Sequence, residues 1–193
     1  MEAFEHVVKV FLEAKGYVVT TGVKFPVRRR TRKAKYAEYQ THGYEMDVVG
    51  ARHGSLMLGS VKSFFGSPGV SRQDFKGIAD PRKKTHFERY AVFNEPEIRE
   101  GVLKQAVERY GYPADCVRLS LFVGNFVRGD RKAVTDHLRS INVGVGTVEV
   151  YDLRTIVEGL LGVVQSKTYY NDAVVITLKA LKEAGLSLEL PTG

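Results

Sequence analysis

Apolar residues recur at helical spacing near the start of the chain: Phe4, Val7, Val8, Phe11 and Leu12, with Gly16 ending the run. The pattern predicts a helix over 2–15. β-branched residues then dominate "YVVTTGVKF" (17–25), which predicts a strand. Two further apolar runs, 44–50 and 55–64, are joined by "ARHG" and read as antiparallel strands. Residues 66–95 carry no period and are punctuated by Gly66, Pro68, Gly69, Gly77 and Pro81. Helical spacing returns over 96–110, with Pro96 at the start and Gly111 past the end. Alternation of Val117, Leu119, Leu121 and Val123 predicts a strand. "DRKAVTDHLRSI" reads as a helix, "GTVEVYDL" as a strand, and helices follow over 153–162 and 168–185. The order α-β-β-β-α-β-α-β-α-α predicts an α/β fold, a mixed central sheet flanked by helices. At 193 residues, without repeats or a low-complexity linker, the chain is expected to be one domain, 1–193, with 150–193 a C-terminal helical extension.

Two residues interrupt the apolar pattern. Asp47 sits in "YEMDVVG" and Lys62 in "LMLGSVKS". Strand side chains alternate faces, so Glu45 should share a face with Asp47, and Ser60 with Lys62. Pairing through the 51–54 turn would let these polar positions converge. A lone buried charge is costly, and a partner or a metal removes much of the cost. A carboxylate beside an ammonium suits a divalent cation next to a phosphate: the acid ligates hard Mg²⁺, and the amine steadies a water or the charge building on phosphate. An ordinary arrangement also accounts for both residues, with Asp47 hydrogen-bonded at a strand end and Lys62 reaching to solvent.

These residues, in this order, resemble the PD-(D/E)XK nuclease superfamily. The opening "FEHVVKVFLEAKGY" is similar to the family's Glu-bearing first helix, with Glu5 in the matching place. Asp47 matches the Asp closing a following strand, and "SVK", Ser60 to Lys62, matches the (D/E)-x-K of the next. The likeness covers residues 2–65 and implies the restriction-endonuclease-like fold and Mg²⁺- or Mn²⁺-dependent hydrolysis of DNA phosphodiesters. It further implies that Asp47, Glu5 and the Val61 carbonyl ligate metal and that Lys62 positions the attacking water. Ser60 stands where the family has its second carboxylate and is expected to hold a metal-bound water at most. Glu5 or Glu45 is expected to make up the missing charge. The alternative that this departure leaves open is a catalytically inactive DNA-binding or assembly protein on the same fold. Some of these nucleases also carry Q-x-x-x-Y on the helix after the lysine strand. Gln105 and Tyr110 are one residue too far apart for it, which leaves a rim contact or a surface Gln beside a core Tyr.

Charge adds a partner class. The chain carries a formal +7 with a pI near 9.4, which favours polyanions. Six cations fall within 28–35: Arg28, Arg29, Arg30, Arg32, Lys33 and Lys35. They precede the Asp47 strand and are expected to form a loop gripping the DNA backbone. Tyr36, Tyr39 and Tyr44 follow and could stack on unpaired bases. Arg82, Lys83 and Lys84 make a second cluster. Binding by such cations should weaken steeply with salt. A solvated basic face, or one that binds protein, is the competing reading. No base-reading motif accompanies the charge.

The lone Cys116 excludes an internal disulfide and favours a reducing, cytoplasmic setting; it is expected to be buried. The acidic N-terminus is unlike a secretory signal, and no apolar run is long enough for a membrane span. No phosphate loop, dinucleotide fingerprint, nucleophile elbow or metal-spaced histidine pair is present. Val174, Leu178 and Leu181 could pack on a second copy, and a twofold dimer would suit cutting two strands.

Overall fold

A computed structural model describes residues 2–30, 38–144, 146–166 and 171–185. Arg32, Lys33 and Lys35 lie outside the described residues. The helix predicted first is α1 (Ala3–Ala14), which buries Phe4, Val8, Val10, Phe11 and Leu12 as its spacing requires. Three strands follow: β1 (Val18–Arg30), β2 (Tyr39–Arg52) and β3 (Ser55–Lys62). After an irregular stretch come the short α2 (Ala91–Asn94), α3 (Pro96–Tyr110) and β4 (Val117–Val123). The remainder is α4 (Arg131–Arg139), a minute hairpin of β5 (Asn142–Val143) and β6 (Gly146–Thr147), β7 (Glu149–Asp152), α5 (Leu153–Gln165) and α6 (Ala173–Glu183).

The central sheet runs β1-β2-β3-β4-β7. β1, β2 and β3 pair antiparallel; β3, β4 and β7 pair parallel. The fold is therefore α/β with a mixed sheet flanked by helices, as the element order predicts. β3 and β4 are buried almost end to end, because helices cover both faces. One face packs Leu56, Leu58, Leu119 and Leu121 against α3 and α4 through Ile98, Val102, Val134 and Leu138. The other packs Val48, Met57, Val61 and Phe122 against α1 and α5 through Phe11, Ile156 and Leu160. Gly59 is fixed by this crowding: a Cβ there would lie 2.6 Å from both Phe122 and Val48 side chains.

Several expectations are corrected. The basic run does not begin in a loop, since Arg28, Arg29 and Arg30 close β1 opposite Thr41, Gln40 and Tyr39. The reason is alternation: Val23, Phe25 and Val27 point into the core, and Lys24, Arg28 and Arg30 point out. Pro26 is tolerated because β1 is the sheet edge. Residues 150–152 belong to the sheet as β7, and α5 packs against α1. Val174 and Leu178 pack on the α1 face of this chain's own core. Cys116, expected to be buried, is half-buried in a 3-10 turn before β4. Burial and the neighbouring Asp115 push its thiol pKa up. Among the described residues, no helix is long and apolar enough to cross a membrane.

Candidate active site at the carboxyl edge of the sheet

β2 and β3 pair only from Val48 to Arg52. Asp47 is the first residue of β2 beyond that pairing, and its carboxylate replaces the missing ladder partner. Oδ2 accepts the Val61 amide at 2.5 Å and the Ser60 hydroxyl at 3.1 Å. The Lys62 ammonium stands 3.8 Å from the same oxygen. That is an ion pair too long for a direct hydrogen bond. The Lys62 amine also lies over the Tyr90 ring, 5.7 Å from its centroid. Among the described residues, Asp47 Oδ1 makes no hydrogen bond. The side chains of Lys62 and Asp47 are 23% and 18% exposed, so solvent reaches a largely desolvated pair.

A recess opens over this pair. It is lined by Asp47, Ser60 and Lys62 together with Tyr44, Glu45, Glu88 and Arg89. Glu88 and Arg89 come from the 3-10 turn Phe87–Tyr90, in the stretch where the sequence shows no period. Burial of Tyr90, Val92 and Phe93 is what holds that turn against the sheet, and the "HFERYAVF" aromatics were its only sequence signal. Burial and Asp74 together push the Tyr90 hydroxyl pKa far up, so it stays protonated.

The structure brings Asp47, Ser60, Val61 and Lys62 together as expected from two strands that converge. Glu5 is not among the residues lining the recess. The Glu5 carboxylate turns back to accept the Glu2 amide at 3.0 Å, closing the first turn of α1. That turn does reach the same end of the sheet, because the Phe4 ring meets Phe65 edge-on at 5.1 Å. Glu45 lines the recess but spends its charge on Lys24, 3.6 Å away. The assumed shared face with Asp47 fails because alternation breaks there: Met46 enters one core and Val48 the other. Gly22, opposite this point on β1, has φ 65°, a turn of the backbone that glycine allows. Val61 meets Asp47 through its N–H. Gln105 donates to Glu108 on the surface of α3, while Tyr110 packs on the core.

The donors here are hard oxygens, the kind Mg²⁺ takes, and Mg²⁺ commonly uses one or two carboxylates with water and substrate phosphate. Among the described residues, no three His, Cys, Asp or Glu side chains form a metal-holding group. The residues thus fit a cation shared with a bound phosphate, with Asp47 its protein anchor, rather than a closed cage.

The described residues of the two basic clusters have different partners, and Arg29 is bonded to a residue that lines the recess. Arg29 points inward and donates to the Tyr44 hydroxyl at 3.0 Å, which raises its pKa. Arg28 lies over the outward Tyr39 ring, 4.7 Å away. Arg30 pairs with Glu38 at 3.5 Å. Arg82 makes three bonds to Asp80, two from its guanidinium and one from its amide, each 3.0 Å, while Lys83 and Lys84 are exposed.

No family model matches the chain, and no curated protein matches it. A crystal structure of a protein of unknown function, AF1548, is similar to 95% of this chain and 77% of its own, at 16% identity and a TM-score of 0.38.

Proposed function

We propose that this chain is a metal-dependent nuclease that hydrolyses DNA phosphodiesters. The observation that carries the reading is the meeting of Asp47 and Lys62, from neighbouring strands, in an open recess at the sheet edge. The order of helix, strands and lysine motif also fits the restriction-endonuclease-like scheme. Bound Mg²⁺ or Mn²⁺ would supply charge neutralisation and a more acidic water. Asp47 offers the uncommitted Oδ1 to that cation. Val61 and Ser60 hold the carboxylate still by occupying Oδ2. Lys62, too far from Asp47 to be quenched by a hydrogen bond, orients a water or the phosphate oxygen. Glu88 adds negative charge at the rim. Arg28, Arg30, Lys83 and Lys84 present outward charge for the flanking backbone. The lone cysteine suits a cytoplasmic protein, and a twofold dimer would deliver two such recesses to two strands.

A second reading has its own support: Ser60 in place of the carboxylate and the absence of a three-ligand group among the described residues favour an inactive DNA-binding relative. Incubation of supercoiled plasmid with the protein in Mg²⁺ or Mn²⁺ separates the two. Nicking by the wild type that disappears in Lys62→Ala supports the nuclease. An inert wild type that still shifts DNA in a salt-sensitive manner gives the second reading.

A further inference from the structure

Three residues beyond Lys62 the chain exposes an aromatic ring. Phe65 is 58% exposed, one of few large apolar side chains left in solvent among the described residues. Its neighbour Phe64 packs on the α3 side of the core, and Phe64 takes φ 46°. Among the described residues it is the one non-glycine with positive φ, a conformation that bulky side chains avoid. That backbone turn is what sends two consecutive aromatics to different places, one into the core and one out.

The exposed ring is also braced. Phe4 meets it edge-on at 5.1 Å. Gly124 lies beneath: a Cβ there would sit 3.1 Å from the Phe65 ring and 2.2 Å from the Ser63 carbonyl. The loop is tied to β4 by Gly124 N–H to Lys62 carbonyl at 2.8 Å, and by the Asn125 amide nitrogen to the Ser67 carbonyl at 3.1 Å. A solvent-facing ring so held is preorganised for contact. Cations are near. Lys62 is three residues before it, and Gly124 also lines a recess with Arg128 and Asn125, in which Arg131 is paired with Asp152. An exposed aromatic face with cations near it can bind unpaired nucleotides, the ring taking a base and the cations its phosphates.

We propose that the carboxyl edge of β3 and β4 is a track for single-stranded nucleic acid, with Phe65 the platform on which an unpaired base stacks. The proposal rests on the nucleic-acid part of the reading above and specifies its substrate class: strands with unpaired nucleotides next to the cleaved bond. Binding of fluorescein-labelled oligothymidylate and of a blunt duplex, measured in EDTA so that nothing is cut, tests it. Phe65→Ala should weaken oligothymidylate binding about tenfold and leave the duplex within about twofold. Phe65→Leu, which keeps apolar bulk without a π face, should resemble the alanine variant, and Phe65→Tyr the wild type. Arg128→Ala should flatten the salt dependence of oligothymidylate binding. Equal oligothymidylate affinity for wild type and Phe65→Ala overturns the track and leaves plasmid nicking untouched. A wild type that binds neither probe overturns both the track and the nuclease reading. If Phe65→Ala does not fold, 2-aminopurine in the oligonucleotide decides with wild-type protein alone. Its fluorescence should fall on binding by stacking, and an unchanged signal at saturation overturns the proposal.

Discussion

Two aspartates stand at the same edge of the sheet, with β3 and β4 between their strands, each beside a cation. Lys62, the cation beside Asp47, is level with Val123, and Val123 with Asp152, which puts Lys62 and Asp152 about 10 Å apart across the ladder. Their side chains are similarly buried, 18% exposed for Asp47 and 13% for Asp152. Asp152 is fully spent. Its Oδ1 accepts both the amide and the hydroxyl of Thr155 at 2.8 Å, capping α5, and its Oδ2 pairs with Arg131. Asp47 uses one oxygen for all its partners and leaves its cation 3.8 Å off. A committed carboxylate stabilises a fold. One held on a single oxygen, with an amine close but unbonded, can take a ligand.

That contrast breaks most sharply on cleavage. Lys62→Ala should lower plasmid nicking by at least ~100-fold, the usual cost of losing one preorganised donor to a charged transition state. Arg131→Ala should leave the rate of nicking within a few fold at saturating protein, since it serves Asp152. Comparable losses in the two variants would erase the distinction between the sites. A gain of function sharpens the same comparison. Ser60→Asp restores a second acid beside Asp47 and should tighten Mn²⁺ binding, read by titration calorimetry without DNA. The like charge placed against Asp47 should also cost stability when the ion is absent. Unaltered Mn²⁺ affinity would show that position 60 does not face the cation.

How much of this the sequence carries depends on the kind of signal. Element order was legible because Phe4, Val8 and Phe11, or Leu119 and Leu121, repeat at periods that burial enforces. Asp47 and Lys62 were legible because they violate such a period. The break of alternation between Met46 and Val48 was not, as it shows only in which core each side chain enters, level with the positive-φ Gly22 on the neighbouring strand. It is also why Glu45 faces Lys24 instead of joining Asp47. Arg28 to Arg30 were hidden as strand because charge density masks a pattern that only cross-strand pairing reveals. Glu88 and Arg89 reach the recess through tertiary packing of the turn around Tyr90, with no local period to announce them. Glu5 satisfied a motif, yet its carboxylate closes its own helix.

The smaller effects lie on the structural side of the comparison and concern stability. Asp152→Ala removes the cap of α5 and should cost about 1 kcal/mol in urea unfolding. Asp47→Ala releases the Val61 amide and also destabilises, so Asp47→Asn, which can still accept from it, is the variant for activity. Asp152→Asn keeps an acceptor for Thr155 but loses the charge facing Arg131, for about 0.5 kcal/mol at neutral pH. Its pH dependence is the finest test. Burial works to raise the Asp152 pKa, but the bonds from Thr155 and the Arg131 charge outweigh it and hold it below the ordinary 3.8. Above 3.8 both folded and unfolded chains carry the charge, and its stabilisation is complete. As pH falls through that value the unfolded chain takes the proton first, and the contribution is lost by the folded pKa. The gap between wild type and Asp152→Asn should therefore narrow as pH falls through and below 3.8, with other acids cancelling in the difference. A gap that stays constant over that range means Asp152 draws nothing from its charge, and its likeness to a simple cap, rather than to an ion-paired counterpart of Asp47, would then be complete.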